Sequence, residues 1–202
     1  MIIYYFYPMT KYTMEKTAGV YRLHDVKGTN SGFKLNPDGS FQLFFTYGVM
    51  DRYGSGSWAV NGDHVILQSR PWPGRDFVGA GSQLTNQNFI TTKIVGGNPA
   101  LIKHVYYSLR NGQTGSWIKT NEKGEAAFPL QAVTTVSIVF EFCQERFTHV
   151  TIENPNHNYF EFRFEPWLME VFFDNLQLKI SKYALSGKHP LMQGEKFIYE
   201  RG

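Results

Sequence analysis

Residues 32–68, GFKLNPDGSFQLFFTYGVMDRYGSGSWAVNGDHVILQ, read as four short strands joined by three turns. In Asn36-Pro37-Asp38-Gly39 the proline presets φ for the second turn position and the glycine accepts a left-handed exit. Asn61-Gly62-Asp63 has the chemistry of a tight I′ hairpin turn, because Asn and Gly tolerate positive φ. Between these turns Phe41, Leu43, Phe45 and Tyr47 alternate with Gln42 and Thr46, the period of a half-buried strand, and Phe44 breaks the pattern. The spacing predicts strands near residues 33–35, 41–47, 57–60 and 65–68, with a loop through 51–54. Every connection is short, so neighbouring strands are expected to run antiparallel.

Outward from this stretch, Gly19-Val20-Tyr21-Arg22-Leu23 opens the same meander. Residues 1–16 do not share its pattern and are read as an N-terminal extension, an edge strand or an arm on a neighbour, with Met14 as an alternative start. From Ser69 the character changes. Arg70-Pro71-Trp72-Pro73-Gly74-Arg75-Asp76 cannot be a central strand, because both prolines lack the ladder donor, and the segment reads as irregular until residues 89–95.

Two breakers, Gly96-Gly97-Asn98-Pro99 and Asn154-Pro155-Asn156-His157-Asn158, bracket a segment with its own rhythm. Within it Val105, Tyr107 and Leu109 alternate, Asn111-Gly112 turns, and Val136, Ile138, Phe140 and Phe142 alternate again. After the second breaker Phe160, Phe162 and Phe164 alternate with charged residues, Leu176, Leu178 and Ile180 follow, and Phe197, Tyr199 and Arg201 share one face. The expected organisation is one β domain split between 17–95 and 159–202, hosting an inserted module at 96–158. An aromatic-rich meander left open would expose edges prone to pairing with other chains, so closure into a barrel is expected. The fold class is therefore all-β.

Two resemblances bear on these segments. Thr120-Asn121-Glu122-Lys123-Gly124-Glu125-Ala126-Ala127-Phe128 resembles the T-D-x-x-G-x-A-x-F hairpin of small immunoglobulin-like modules of the carboxypeptidase-regulatory, transthyretin-like type, with Asn121 where Asp is usual. The opening Gly19-Val20-Tyr21 and closing Tyr199-Glu200-Arg201 resemble bacterial lipocalin-like barrels, in which the terminal Arg packs across the opening aromatic. Tyr stands where that family has Trp, and the middle insertion is not one of its features. The likeness implies a lipocalin-like up-and-down barrel, an inserted immunoglobulin-like sandwich, and a cavity for a small apolar or amphipathic ligand.

Composition removes several classes. With 42% apolar and 18% charged residues, the 202-residue chain is neither disordered nor a coiled coil, and it can bury a real core. The 17 Phe and 12 Tyr favour strands. The net charge of +3 is mild and its cations are scattered, so no nucleic-acid partner is expected. No window approaches the ~20 apolar residues of a membrane span, no signal peptide is legible, and the default location is the cytoplasm. The single cysteine, Cys143, excludes an intrachain disulfide and reads as a small packed side chain.

Catalytic signatures are missing. The six histidines show no ligand spacing, so no metal or cofactor is expected. Gly54-Ser55-Gly56-Ser57 is not a nucleophile elbow, and its glycines read as a bend or bulge before Trp58. Phosphate cradles do not occur. An aromatic and basic group remains: Tyr47, Arg52, Trp58, Arg70, Trp72 and Arg75. Trp72, held between two prolines, would suit stacking on a flat ligand, with the competing reading that its loop plugs the barrel mouth. The expected site joins this group, Arg52 excepted, to Phe41, Leu43, Phe45, Phe160, Phe162 and Phe164 as cavity lining. A binding protein is favoured over an enzyme. The alternatives are a carbohydrate-binding or hydrolytic protein using Trp72 with Asp51 or Asp76, and an association module with a protein partner or a second copy.

Overall fold

The computed structural model describes residues 12–48, 50–111 and 115–202, and nothing is described of the expected arm before Tyr12. Its chain is all-β and forms two compact units, one of residues up to 71 with 170–202, the other of residues 72–169.

In the first unit, strands β1 (Gly19–Leu23), β2 (Thr29–Leu35), β3 (Ser40–Tyr47), β4 (Met50–Asn61) and β5 (His64–Ser69) form an antiparallel meander. The second unit supplies β6 (Phe77–Gln83), β7 (Phe89–Ile94), β8 (Val105–Arg110), β9 (Ile118–Lys119), β10 (Glu125–Pro129), β11 (Thr135–Phe140), β12 (Thr148–Thr151) and β13 (Tyr159–Phe164). The meander then resumes with β14 (Leu176–Ile180), β15 (Ala184–Gly187) and β16 (Phe197–Arg201). Because β14 pairs with β5 and β16 with β1, the eight strands close into a barrel.

Alternation explains the barrel core. Phe33, Leu35, Phe41, Leu43, Trp58, Leu67, Leu178 and Tyr199 all point inward and are buried. Phe44 faces outward, and Gly32 makes room for it: a Cβ at position 32 would sit 2.8 Å from the Phe44 ring. The turn at 36–39 forms as expected, with Gly39 at φ +84° and its N–H donating to Asn36 O at 3.1 Å. At the next turn only Gly62 takes a positive φ, so it is not the I′ form, which needs two. Residues 51–54 are not a loop. They belong to β4, which pairs with β3 over its first part and with β5 over its last. Gly56 lies where the two pairings meet, and a Cβ there would strike Gln68 O.

One end of the barrel is closed by a one-turn helix, α1 (Met14–Thr17), N-capped by Thr13. Arg201 donates to Lys16 O and Ala18 O at 2.9 and 2.6 Å and lies against Gly19, where a Cβ would come within 2.9 Å of its Nε. Tyr21, its partner in register, donates its hydroxyl to Thr17 O at 2.7 Å.

The second unit is a sandwich of two four-stranded sheets, β10-β7-β13-β6 and β12-β11-β8-β9, whose inner faces share one core. Val105, Tyr107, Leu109, Val136, Ile138 and Phe140 are buried there, as their alternation predicts. Three expectations are corrected. Residues 70–76 and 84–88 are irregular as expected, but between them Phe77–Gln83 forms β6, an edge strand, where glycines and a bulge opposite Glu161/Phe162 are tolerated. The change of unit falls at 71/72 and 169/170 rather than at 95/96 and 158/159. β13, read as a returning barrel strand, instead pairs in parallel with β7 and antiparallel with β6. Alternation reports a half-buried strand but not which sheet it joins.

The 120–128 motif is a corner and not a hairpin. Asn121 Oδ1 accepts from the N–H groups of Lys123 and Glu125, and Gly124 adopts φ +75°, yet β9 pairs with β8 while β10 pairs with β7.

Candidate functional site

The strongest concentration of polar side chains inside the barrel lies at the end away from α1. Register brings it together: Leu23 pairs with Tyr199, Ser31 with Phe45, and Phe45 with Arg52. After β15 the chain turns in and buries His189, only 4% exposed, against the rings of Phe45 and Tyr199 at 5.3 and 6.3 Å. Its tautomer follows from its partners. Leu191 N–H donates to Nδ1 at 3.0 Å, so Nε2 carries the proton and donates to Ser31 Oγ at 3.0 Å. Ser31 in turn donates to Phe44 O at 2.9 Å. Burial lowers the His189 pKa to about 4, so the ring is neutral near pH 7.

Behind His189, Tyr199 is fully buried and its hydroxyl has no hydrogen-bond partner. Burial pushes its pKa well up, leaving it a phenol O–H with no acceptor. Outside, a groove of about 570 Å³ runs along the barrel at this end, lined by Phe173, Leu176, Gln177, Gly187, His189 and Pro190 among others. Phe173 also stacks on Phe41 at 5.5 Å, so the groove wall packs directly on a ring of the barrel core.

The expected site residues are dispersed. Phe41, Leu43 and Phe45 are buried in the barrel, while Phe160 and Phe162 are buried in the sandwich core and Phe164 packs against that core; the two faces do not line one cavity. Trp58 is core, its indole N–H donating to Asn36 O at 2.8 Å. Tyr47 is exposed. Arg52 is buried and donates to Glu170 O, and Arg70 forks onto the Glu170 carboxylate, its Nε at 3.0 Å.

Trp72 is not a free stacking platform. Its indole N–H donates to Asp76 Oδ1 at 3.1 Å and its ring lies under Arg146. Asp76 is buried and holds Arg146 Nε at 2.8 Å, and its own N–H donates to Thr148 Oγ1. Burial raises the Asp76 carboxyl above its ordinary value despite that guanidinium. Arg75 pairs with Glu165, and Asp51, exposed, accepts from Thr46 Oγ1 at 2.7 Å. Asp51 and Asp76 fall in different units, and Asp76 has its acceptors occupied.

No family model, curated protein or solved structure matches this chain. Among the described residues no group of His, Cys, Asp and Glu could hold a metal ion, and no helix is long and apolar enough to cross a membrane. In the sequence Tyr199 stands out only as part of the closing strand, and no local pattern singles out His189, Ser31 or Phe173. His189-Pro190 argues only against a C-terminal helix, and the approach of Ser31 to His189 is a long-range contact.

Proposed function

We propose that this protein is a non-enzymatic, small-ligand-binding β-barrel for an apolar or amphipathic molecule. The observation that carries the reading is the groove at the barrel end, whose walls include Phe173, stacked on the core ring of Phe41, and the buried His189 ring, set against Phe45. An eight-stranded barrel encloses just enough room for side chains or one small ligand. The groove volume lies within the roughly 300–1,000 Å³ typical of such sites. The Arg201 cover over Gly19 and α1 supports likeness to lipocalin-like barrels, and the two-sheet unit supports an immunoglobulin-like module serving protein contacts. Native mass spectrometry of the purified protein, with extraction of bound small molecules, together with Nile red titration, tests this. A co-purified molecule or saturable dye binding is expected. Neither one appearing overturns the reading.

The association reading has its own support in β6, an edge strand whose exposed residues Gly79, Ala80, Gly81, Ser82 and Gln83 carry no charge to deter pairing. Sedimentation across a concentration series tests it, and a clean monomer throughout would remove it.

A further inference from the structure

β15 pairs with β14 only at Leu178, Lys179 and Ile180, whereas β14 pairs with β5 as far as Leu176. At Leu176 and Gln177 the barrel wall therefore lacks a laddered neighbour on one side. The chain after Gly187 has turned inward there to bury His189 and has left the groove in its place. Gly187 permits this departure: a Cβ on it would sit 2.8 Å from Gln177 O and 2.9 Å from Leu178 Cδ2.

The rim of the groove is charged and, apart from the Asp174 carboxylate, internally compensated. Lys188 pairs with Glu195 at 3.2 Å, Lys179 faces Asp63 at 3.9 Å, and His64 contacts Asp63 at 2.7 Å. Its deeper wall is Phe173, Leu176, Pro190 and the His189 ring. Directly behind that ring, nearly parallel to it at 17°, stands Tyr199 with its unpartnered hydroxyl. A buried donor left without an acceptor costs free energy in the empty protein, and a ligand atom that accepts from it recovers that cost.

Resting on the ligand-binding reading above, we propose that this unladdered gap between β14 and the 188–195 segment is the way into the barrel, and that Tyr199 donates a hydrogen bond to a neutral carbonyl or ester oxygen of an otherwise apolar ligand. A neutral acceptor fits better than a carboxylate, because burying an uncompensated charge costs far more than burying a carbonyl. His189 is the movable element. It sits on a connection outside any strand, held by one hydrogen bond to Ser31 and one from Leu191, and its ring lines the groove while stacking on Tyr199, which does not line it.

A second tyrosine provides an internal control. Tyr107 is also fully buried with an unpartnered hydroxyl, but it lies in the sandwich core against Phe162. Nile red, neutral and carrying one carbonyl, is the probe. Its affinity is measured for the intact protein, Tyr199→Phe, Gln177→Trp and Tyr107→Phe, each checked for native circular dichroism. Tyr199→Phe is expected to weaken binding roughly tenfold, the worth of one hydrogen bond. Gln177→Trp, which fills the groove from the exposed face of β14, is expected to slow association at least as much, and Tyr107→Phe to bind as the intact protein does. Unchanged binding by both Tyr199→Phe and Gln177→Trp overturns the gap and the donor while leaving the ligand-binding reading standing. Failure of the intact protein to bind Nile red at all sinks both.

Discussion

The barrel and the sandwich are built from the same kind of strand, yet they dispose of their edges in opposite ways and hold different buried polar clusters. The barrel pairs every strand on both sides; at one end a neutral chain runs from Leu191 N–H through His189 and Ser31 to Phe44 O, and its buried Glu170 carboxylate pairs with the half-exposed Arg70. The sandwich leaves β6, β9, β10 and β12 as edges and buries a charged pair, Asp76 and Arg146, capped by Trp72 and Leu168 O. A closed sheet needs no further device to finish its backbone. An open sandwich whose chain ends emerge together needs something to hold those ends, and a buried ion pair holds them strongly because neither partner can be removed alone.

The largest test of that contrast is Asp76→Ala. Stranding Arg146 should cost about 3–5 kcal/mol in urea denaturation followed by tryptophan fluorescence. A loss below about 1 kcal/mol would show that water reaches the guanidinium and that the pair is not a clamp.

The barrel's counterpart is sensitive to pH. His189 is held neutral in the folded protein with a pKa of about 4, against 6.5 when unfolded. Below pH 6.5 the unfolded chain takes up a proton that the folded one refuses. This contribution is therefore fully present above pH 6.5, declines as pH falls, and stops changing below about 4, with a total of roughly 3 kcal/mol. Denaturation at pH 7 and pH 4.5 of the intact protein and of His189→Gln checks it. Equal pH dependence in the two would assign the acid sensitivity elsewhere.

Smaller effects sharpen the same picture. Ser31→Ala leaves the His189 Nε2–H without its acceptor and should cost about 1–2 kcal/mol, with little change in Asp76-dependent stability. Trp58→Phe keeps most of the buried ring but leaves Asn36 O with only its bond from Gly39 N–H, and should cost about 1 kcal/mol. A larger loss would show that the Trp58 shape, rather than its N–H, positions the turn.

The barrel was legible where local chemistry decides structure. Pro37 and Gly39 announced their turn, Phe41, Leu43 and Phe45 announced their face, and the opening Tyr21 and closing Arg201 do meet in register. Sheet membership was not legible. Phe160, Phe162 and Phe164 alternate as cleanly as any barrel strand, but their parallel partner β7 is set by long-range pairing that leaves no mark on adjacent residues. Strand β6 was hidden by Gly79 and Gly81, whose low strand propensity is tolerated at an edge. The candidate site was the least legible part. Its central residue, His189, is hydrogen-bonded to Ser31, which is 158 positions away in the chain.

The neck of the sandwich also bears on how the barrel closes. Glu165 N–H donates to Asp76 O at 2.9 Å, Trp167 donates to Arg75 O at 2.8 Å, and Arg75 pairs with Glu165, so the two ends of the inserted unit are tied side by side. Once the sandwich has folded, β5 and β14 are joined by a tether of roughly twenty residues instead of roughly a hundred, which lowers the entropic cost of their pairing by about 1.5 kcal/mol. Kinetically, an inserted unit that folds first shortens the search for the seam that seals the barrel.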